Sequence, residues 1–188
     1  CLGGHVPQLL GVDDAAEDGQ RRTERDFDAA LAAAGMYQDI LGPENFFIEL
    51  QDHGIPAQQT IMADLIDIGR RIGAPLLAAN DSHYTYAHEA DAHDALLCIQ
   101  TGSVKSDENR FKFYSQEFYV KSSSQMRKLF DEERYPGAAD NTLLIAERVD
   151  FDIEFGGILL PRFEVPTGHT TDTYLRHLVL EGAARRYG

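Results

Sequence analysis

NFFIELQDHGIPAQQTIMADLIDIGRRIGAPLLAANDSHY, residues 45–84, is the stretch on which the fold turns. Asn45 to Gln51 is a short, nearly all-apolar run, as expected of a strand buried on both faces. Pro56 then opens a helix, because a residue without an N–H is tolerated only in the first turn. Ile61, Leu65, Ile68 and Ile72 fall on one stripe of that helix, and Gly73 ends it. Pro75 to Ala79 forms a second buried strand. Two apolar strands joined by an amphipathic helix make a βαβ unit, so the fold class is α/β with a parallel sheet and helices outside it.

Upstream, Phe27, Leu31, Ala34 and Leu41 recur at helical spacing between Glu24 and Leu41, and Gly42-Pro43 stops that helix. Residues 11–23 read as an exposed polar loop. Downstream, the pattern predicts helices around Glu89–Ile99, Ser123–Phe130 and Ala138–Val149, and a strand around Phe118–Lys121. A proline-punctuated link, LLPRFEVPTG (159–168), precedes a last amphipathic helix near Thr173–Tyr187. The expected organisation is therefore one domain over 1–158, followed by a linker and helix over 159–188.

The chain has 188 residues and a formal net charge of −14, which speaks against gripping duplex DNA over its whole face. The charge is unevenly spread. Residues 1–60 hold 11 acids against 3 bases, whereas 101–135 hold 6 acids against 7 bases. That basic strip is either a solvated surface or a face for a polyanion, with Arg110, Lys112 and Lys121 as the candidate DNA-facing residues. No apolar run is long enough for a membrane helix, and two cysteines 97 positions apart make no disulfide framework, so a reducing cytoplasm is expected. An opening Cys and an end just past Arg185-Arg186-Tyr187 look like a piece of a longer protein.

The second strand runs directly into Asn80-Asp81-Ser82-His83. In parallel α/β barrels the carboxyl ends of the strands form the active face. Spacing of i,i+2 in extended chain points Asp81 and His83 the same way, and a carboxylate with an imidazole suits Zn²⁺ or Mn²⁺. The alternative is a loop Asp capping the next helix, with His83 bonded to a neighbour. Glu49 and His53 flank the end of the preceding strand and are candidates for supporting positions around a metal. Glu49 inside an apolar run needs a partner, either at a metal or among backbone donors. His88 and His93, five apart on a helix, are too far round it for joint ligation. Phosphate-cradling and nucleophile-elbow motifs are absent.

Seven stretches taken together resemble one family in order and spacing: CLGG (1–4), FFIELQDHG (46–54), LLAANDSHY (76–84), HDALLCIQTG (93–102), NRFKF (109–113), FYVKSSSQM (118–126) and NTLLIAERV (141–149). The family is the alpha subunit of bacterial DNA polymerase III, the C-family replicative polymerase. The match is to the later half of its polymerase-and-histidinol-phosphatase (PHP) domain, running into the start of the palm. The resemblance implies a PHP-type distorted (β/α)7 barrel, of which this chain is the C-terminal part. It implies divalent metals (Zn, Mn or Mg), with Cys1, Asp81 and His83 as ligands; the remaining ligands and the palm aspartates fall outside the chain. One departure is His5, where the family commonly has an acidic residue.

The implied activity is metal-dependent 3′–5′ exonuclease proofreading within a DNA-directed DNA polymerase. The alternative is a PHP domain without catalysis that serves as a scaffold for the polymerase and its partners. A free-standing phosphoesterase of the histidinol-phosphatase type is disfavoured by the polymerase-like stretch from His93 onward. Partners implied for the whole protein are primer-template DNA, deoxynucleoside triphosphates, the sliding clamp and other replisome subunits, with no membrane.

Overall fold

The computed structural model describes residues 4–11, 25–153, 155–157 and 160–188. Cys1 and nearly all of the loop expected at 11–23 lie outside these described residues. The chain divides into two compact units, Cys1–Asp150 and Phe151–Gly188. The boundary expected at 158/159 falls within the second.

In the first unit a short helix, α1 (His5–Leu9), precedes α2 (Phe27–Leu41). Asp26 caps α2 by accepting from the Ala29 N–H at 2.9 Å, which fixes the start at Phe27, three residues later than Glu24. Strand β1 (Ile48–Leu50) is followed by α3 (Pro56–Ile72) and strand β2 (Leu76–Ala78). The strands pair in parallel, with Ile48 opposite Leu76 and Leu50 opposite Ala78. The βαβ reading holds, and the α/β class with it. Pro56 occupies the first turn of α3, and Gly73 ends it in the left-handed conformation at φ +70°, which a side chain would strain.

The stripe of α3 packs as its spacing requires. Ile61, Leu65 and Ile68 are buried against Ile48, Leu50 and Leu76 in one core that also takes in Ala30, Ala34 and Phe130. Gly69 lets the helix lie close to the sheet. A Cβ there would sit 3.2 Å from the Ala74 carbonyl oxygen, from Ile48 and from Leu76.

Burial on both faces of the strands is not observed. In β1, Ile48 and Leu50 are buried and Glu49 between them is exposed; in β2, Leu77 is only half-buried. Only one face meets α3, so the apolar run encodes a one-sided strand. The outer edge of β2 is closed without a third strand: Ala78 N–H donates to the Ala138 carbonyl at 2.8 Å, and the Asn141 amide donates to the Leu76 carbonyl at 2.8 Å.

A 3₁₀ turn (Ala87–Glu89) leads into α4 (Ala90–Thr101), followed by α5 (Ser123–Leu129) and α6 (Asn141–Arg148). The strand expected at Phe118–Lys121 does not form. Tyr119 makes only an isolated parallel bridge with Tyr84, because Ser122 already begins the capping box of α5 with Gln125. Helix α6 starts at Asn141 rather than Ala138, since the chain turns at Gly137 (φ +74°) and the Ala138 carbonyl is committed to β2.

In the second unit, α7 (Thr171–Tyr187) is capped by Thr170. The stripe expected on it is not buried: Leu175, Leu178, Val179 and Leu180 are all exposed. No described helix is long and apolar enough to cross a membrane.

Two glycine substitutions should have opposite effects on urea unfolding. Gly69→Ala forces a methyl against backbone and two core side chains and should destabilise by about 1–3 kcal/mol. Gly35→Ala, within α2 with nothing within 4 Å, should stabilise by about 0.5–1 kcal/mol.

Candidate functional site

Beyond the end of β2 the chain stays pinned to its parallel neighbour, with Ala79 N–H donating to the Leu50 carbonyl at 2.9 Å. Asn80 then fixes the loop by donating to the Tyr119 carbonyl at 2.7 Å and to Ser82 Oγ at 2.9 Å. The extended trace brings Asp81 Oδ1 to 3.3 Å from His83 Nε2, with both side chains partly open to solvent. Asp81 caps no helix. The turn that follows is closed by Glu89, which accepts from the N–H groups of Thr85 and Tyr86 at 3.0 and 2.8 Å.

His53 supports this loop from beneath and is only 1% exposed. Its ring stacks on Phe118 at 4.3 Å, its Nε2 lies 3.3 Å from the Asp81 amide nitrogen, and its Nδ1 lies 3.0 Å from Gln58 Nε2. Gln58 Oε1 also accepts from the His53 backbone N–H at 2.8 Å, and Ser115 Oγ donates to the His53 carbonyl. Burial first, and then the charge of Lys121, hold the His53 pKa below its ordinary value. His53 thus acts on the backbone of Asp81. Glu49 is not a buried carboxylate in need of rescue: it is exposed on β1 and accepts from Gln51 Nε2 at 3.2 Å.

A third imidazole stands beside the pair. The His93 ring on α4 lies 5.4 Å from that of His83, 5.0 Å from Phe113 and 5.3 Å from Tyr84. Burial, and secondarily His83, lower its pKa. Sequence spacing compared His93 only with His88, its neighbour in the chain. Contact with His83 depends on how α4 folds back, which no local pattern encodes.

The basic strip is largely neutralised where it stands. Arg110 makes a two-pronged bond to Asp94 at 2.6 and 2.7 Å, and its side chain is 8% exposed. Lys121 is 5% exposed, lies 3.4 Å from Glu117 and sits 4.3 Å from the centre of the Tyr119 ring. Both charges are largely buried and paired with a carboxylate. Lys112 is half-exposed, 5.6 Å from the Tyr114 ring centre. Arg127 pairs with Asp140 and Arg134 with Asp131, each at 2.6 Å. Lys105 bridges Asp91 and Asp94.

Among the described residues no group of three or more His, Cys, Asp or Glu side chains converges as a metal centre. Cys1, the third expected ligand, is not among them.

Comparison with known proteins identifies the lineage. The chain is 46% identical over 160 residues to the DNA polymerase III subunit alpha of Mycobacterium leprae, covering 84% of this chain and 14% of that protein. It is homologous to a segment of DNA polymerase III alpha subunits. The corresponding subunit of Borreliella burgdorferi matches at 40% over the full chain, and that of Thermus aquaticus at 35%, each along 15% of its own length. No family model matches the chain. The chain thus spans about a seventh of the polymerase subunits it resembles.

The Arg110–Asp94 pair sets a testable acid limb. The hydrogen bonds from Arg110 hold the Asp94 carboxyl below the usual range. A depressed folded pKa contributes stability that is present above the unfolded value of about 4 and is lost as pH falls through the folded one. Urea midpoints should therefore fall between pH 5 and pH 3, and Arg110→Gln should lower stability at pH 5 while flattening that decline.

Proposed function

We propose that this chain is part of the PHP domain of a replicative DNA-directed DNA polymerase, and that Asp81 and His83 are ligands of a divalent-metal site for 3′–5′ exonuclease proofreading. The observation that carries the reading is the 3.3 Å approach of Asp81 Oδ1 to His83 Nε2, just past the carboxyl end of a parallel strand, in a homologue of DNA polymerase III alpha subunits. A carboxylate and an imidazole side by side and open to solvent are a suitable pair of donors for zinc or manganese, and Cys1 is the proposed third. On this reading β1 and β2 are neighbouring strands of a distorted (β/α)7 barrel.

A divalent ion held there would supply Lewis-acid stabilisation of the charge that builds on phosphodiester oxygens during hydrolysis. The chain's own residues do the positioning. Asn80 ties the loop to Tyr119, and His53 sits against the Asp81 amide, so the carboxylate is aimed before any ion arrives. Phe113 and Phe118 stand edge-on to the His83 ring at 4.7 and 5.6 Å and restrict its rotation. For the whole protein, the proposed partners are primer-template DNA, deoxynucleoside triphosphates and other replisome subunits.

The test is degradation of a mismatched primer by the intact polymerase subunit with added Mn²⁺ or Zn²⁺. Asp81→Asn or His83→Ala should reduce it at least about 10- to 100-fold, the loss typical even of groups that only support a ligand. Nucleotide addition should stay largely unchanged. Undiminished degradation in Asp81→Asn would assign the nuclease elsewhere and leave this domain as a scaffold.

A further inference from the structure

A cleft of about 170 Å³ opens between α4 and residues 110–116. The charges of its lining balance. Asp91 and Asp94 stand against Arg110 and Lys112, and the two-pronged Arg110–Asp94 bond closes one of those pairs at 2.6 and 2.7 Å. Lys105, outside the lining, is engaged with the same two acids. A lining without net charge leaves an ion of either sign uncompensated once it gives up water, so the occupant it fits is neutral and polar.

The rest of the wall is aromatic and amide. Tyr84, His93 and Phe113 bring three rings to it, with the centre of the His93 ring 5.3 Å from that of Tyr84 and 5.0 Å from that of Phe113. Gln116 also lines the cleft, and among the described residues neither its amide nor the His93 ring has a hydrogen-bond partner. A side-chain amide offers a donor and an acceptor side by side, the pairing that the polar edge of a nucleobase also presents. Ring stacking combined with hydrogen bonds to that edge is how proteins hold the splayed bases of single strands. The volume is below the roughly 300 Å³ at which pockets for drug-sized molecules begin, so the cleft takes one base and not a whole nucleotide. It adjoins the Asp81 and His83 pair, because the His83 ring lies 5.4 Å from that of His93 and 4.7 Å from that of Phe113.

We propose that this cleft holds the base of one unpaired nucleotide, with its ring against the aromatic wall and its polar edge on Gln116 and His93, while the phosphodiester of that nucleotide lies at Asp81 and His83. The inference rests on the reading of that pair as the phosphodiester site. A base must leave its duplex partner to enter, so the cleft favours a mismatched end, whose base costs least to unpair.

Nuclear magnetic resonance titration of the chain, with a chelator present, tests the subsite apart from any metal. The probes are thymidine, which carries a base without a charge, and 2-deoxyribose 5-phosphate, which carries the charge without a base. Thymidine should shift the ring signals of Tyr84, His93 and Phe113 saturably, and the sugar phosphate should not. Thymidine affinity should change less than about twofold between about 50 and about 500 mM salt, because a neutral ligand releases no counterions. Gln116→Ala should weaken thymidine binding about fivefold, the scale of one neutral hydrogen bond. Ala90→Phe, which sets a ring into the cleft from its wall, should abolish it, with circular dichroism confirming that both variants are folded. Equal ring shifts with the sugar phosphate, loss of thymidine affinity in high salt, or unaltered binding in both variants would each overturn the proposal. Failure of the exonuclease reading is separately visible, as undiminished primer degradation by the intact subunit carrying Asp81→Asn, a measurement in which thymidine and the cleft variants take no part.

Discussion

The parallel pairing of β1 with β2 beneath α3 is the constraint on which the first unit depends. Two parallel strands cannot be joined by a tight turn, so the chain must cross over, and α3 is the crossover that also seals the face it passes. Its approach is set by Gly69, where a side chain would collide with Ala74, Ile48 and Leu76. With that spacing fixed, Ile48, Leu50, Ile61, Leu65 and Ile68 close into one core. The ladder bond from Ala79 to Leu50 then carries the strand's direction into the loop that holds Asp81 and His83.

The second constraint is aromatic. Phe118 stacks on His53, meets His83 edge-on and packs against Phe113, while its carbonyl accepts from the His83 N–H at 2.8 Å. One residue therefore fastens the buried support of the loop, one of the proposed ligands and the neighbouring Phe113 ring. This gives the segment at 118–121 its role without making it a strand. Ring packing and a few backbone bonds to residues 83 and 84 replace a ladder, and the cap at Ser122 turns the chain into α5 before a ladder can extend.

Electrostatics reshapes the sequence pattern most strongly. A strip rich in lysine and arginine looks like a surface for a polyanion when charges are counted along the chain. In the fold, Arg110, Lys105 and Lys121 lie beside Asp94, Asp91 and Glu117, and their fields are spent locally. What remains of the strip without a carboxylate at ion-pair distance among the described residues is narrower: Lys112 and Lys128, within a strongly acidic chain.

The residue pattern by itself determined the βαβ unit, the helix limits at Gly42, Pro56 and Gly73, and the alignment of Asp81 with His83, because periods of 3.6 and 2 and the backbone limits of proline and glycine act over a few residues. Seven ordered motifs also carried the kinship with DNA polymerase III alpha subunits, which the sequence comparisons bear out. Tertiary structure alone decided which face of each strand is covered, and so exposed Glu49 where an apolar run suggested burial. It alone set His53 under the Asp81 amide, His93 beside His83, and Arg110 against Asp94 across 16 positions of chain. Those contacts join residues on separate elements, and their geometry follows from how helices and loops return to the sheet, a property of the packed chain that no local spacing encodes.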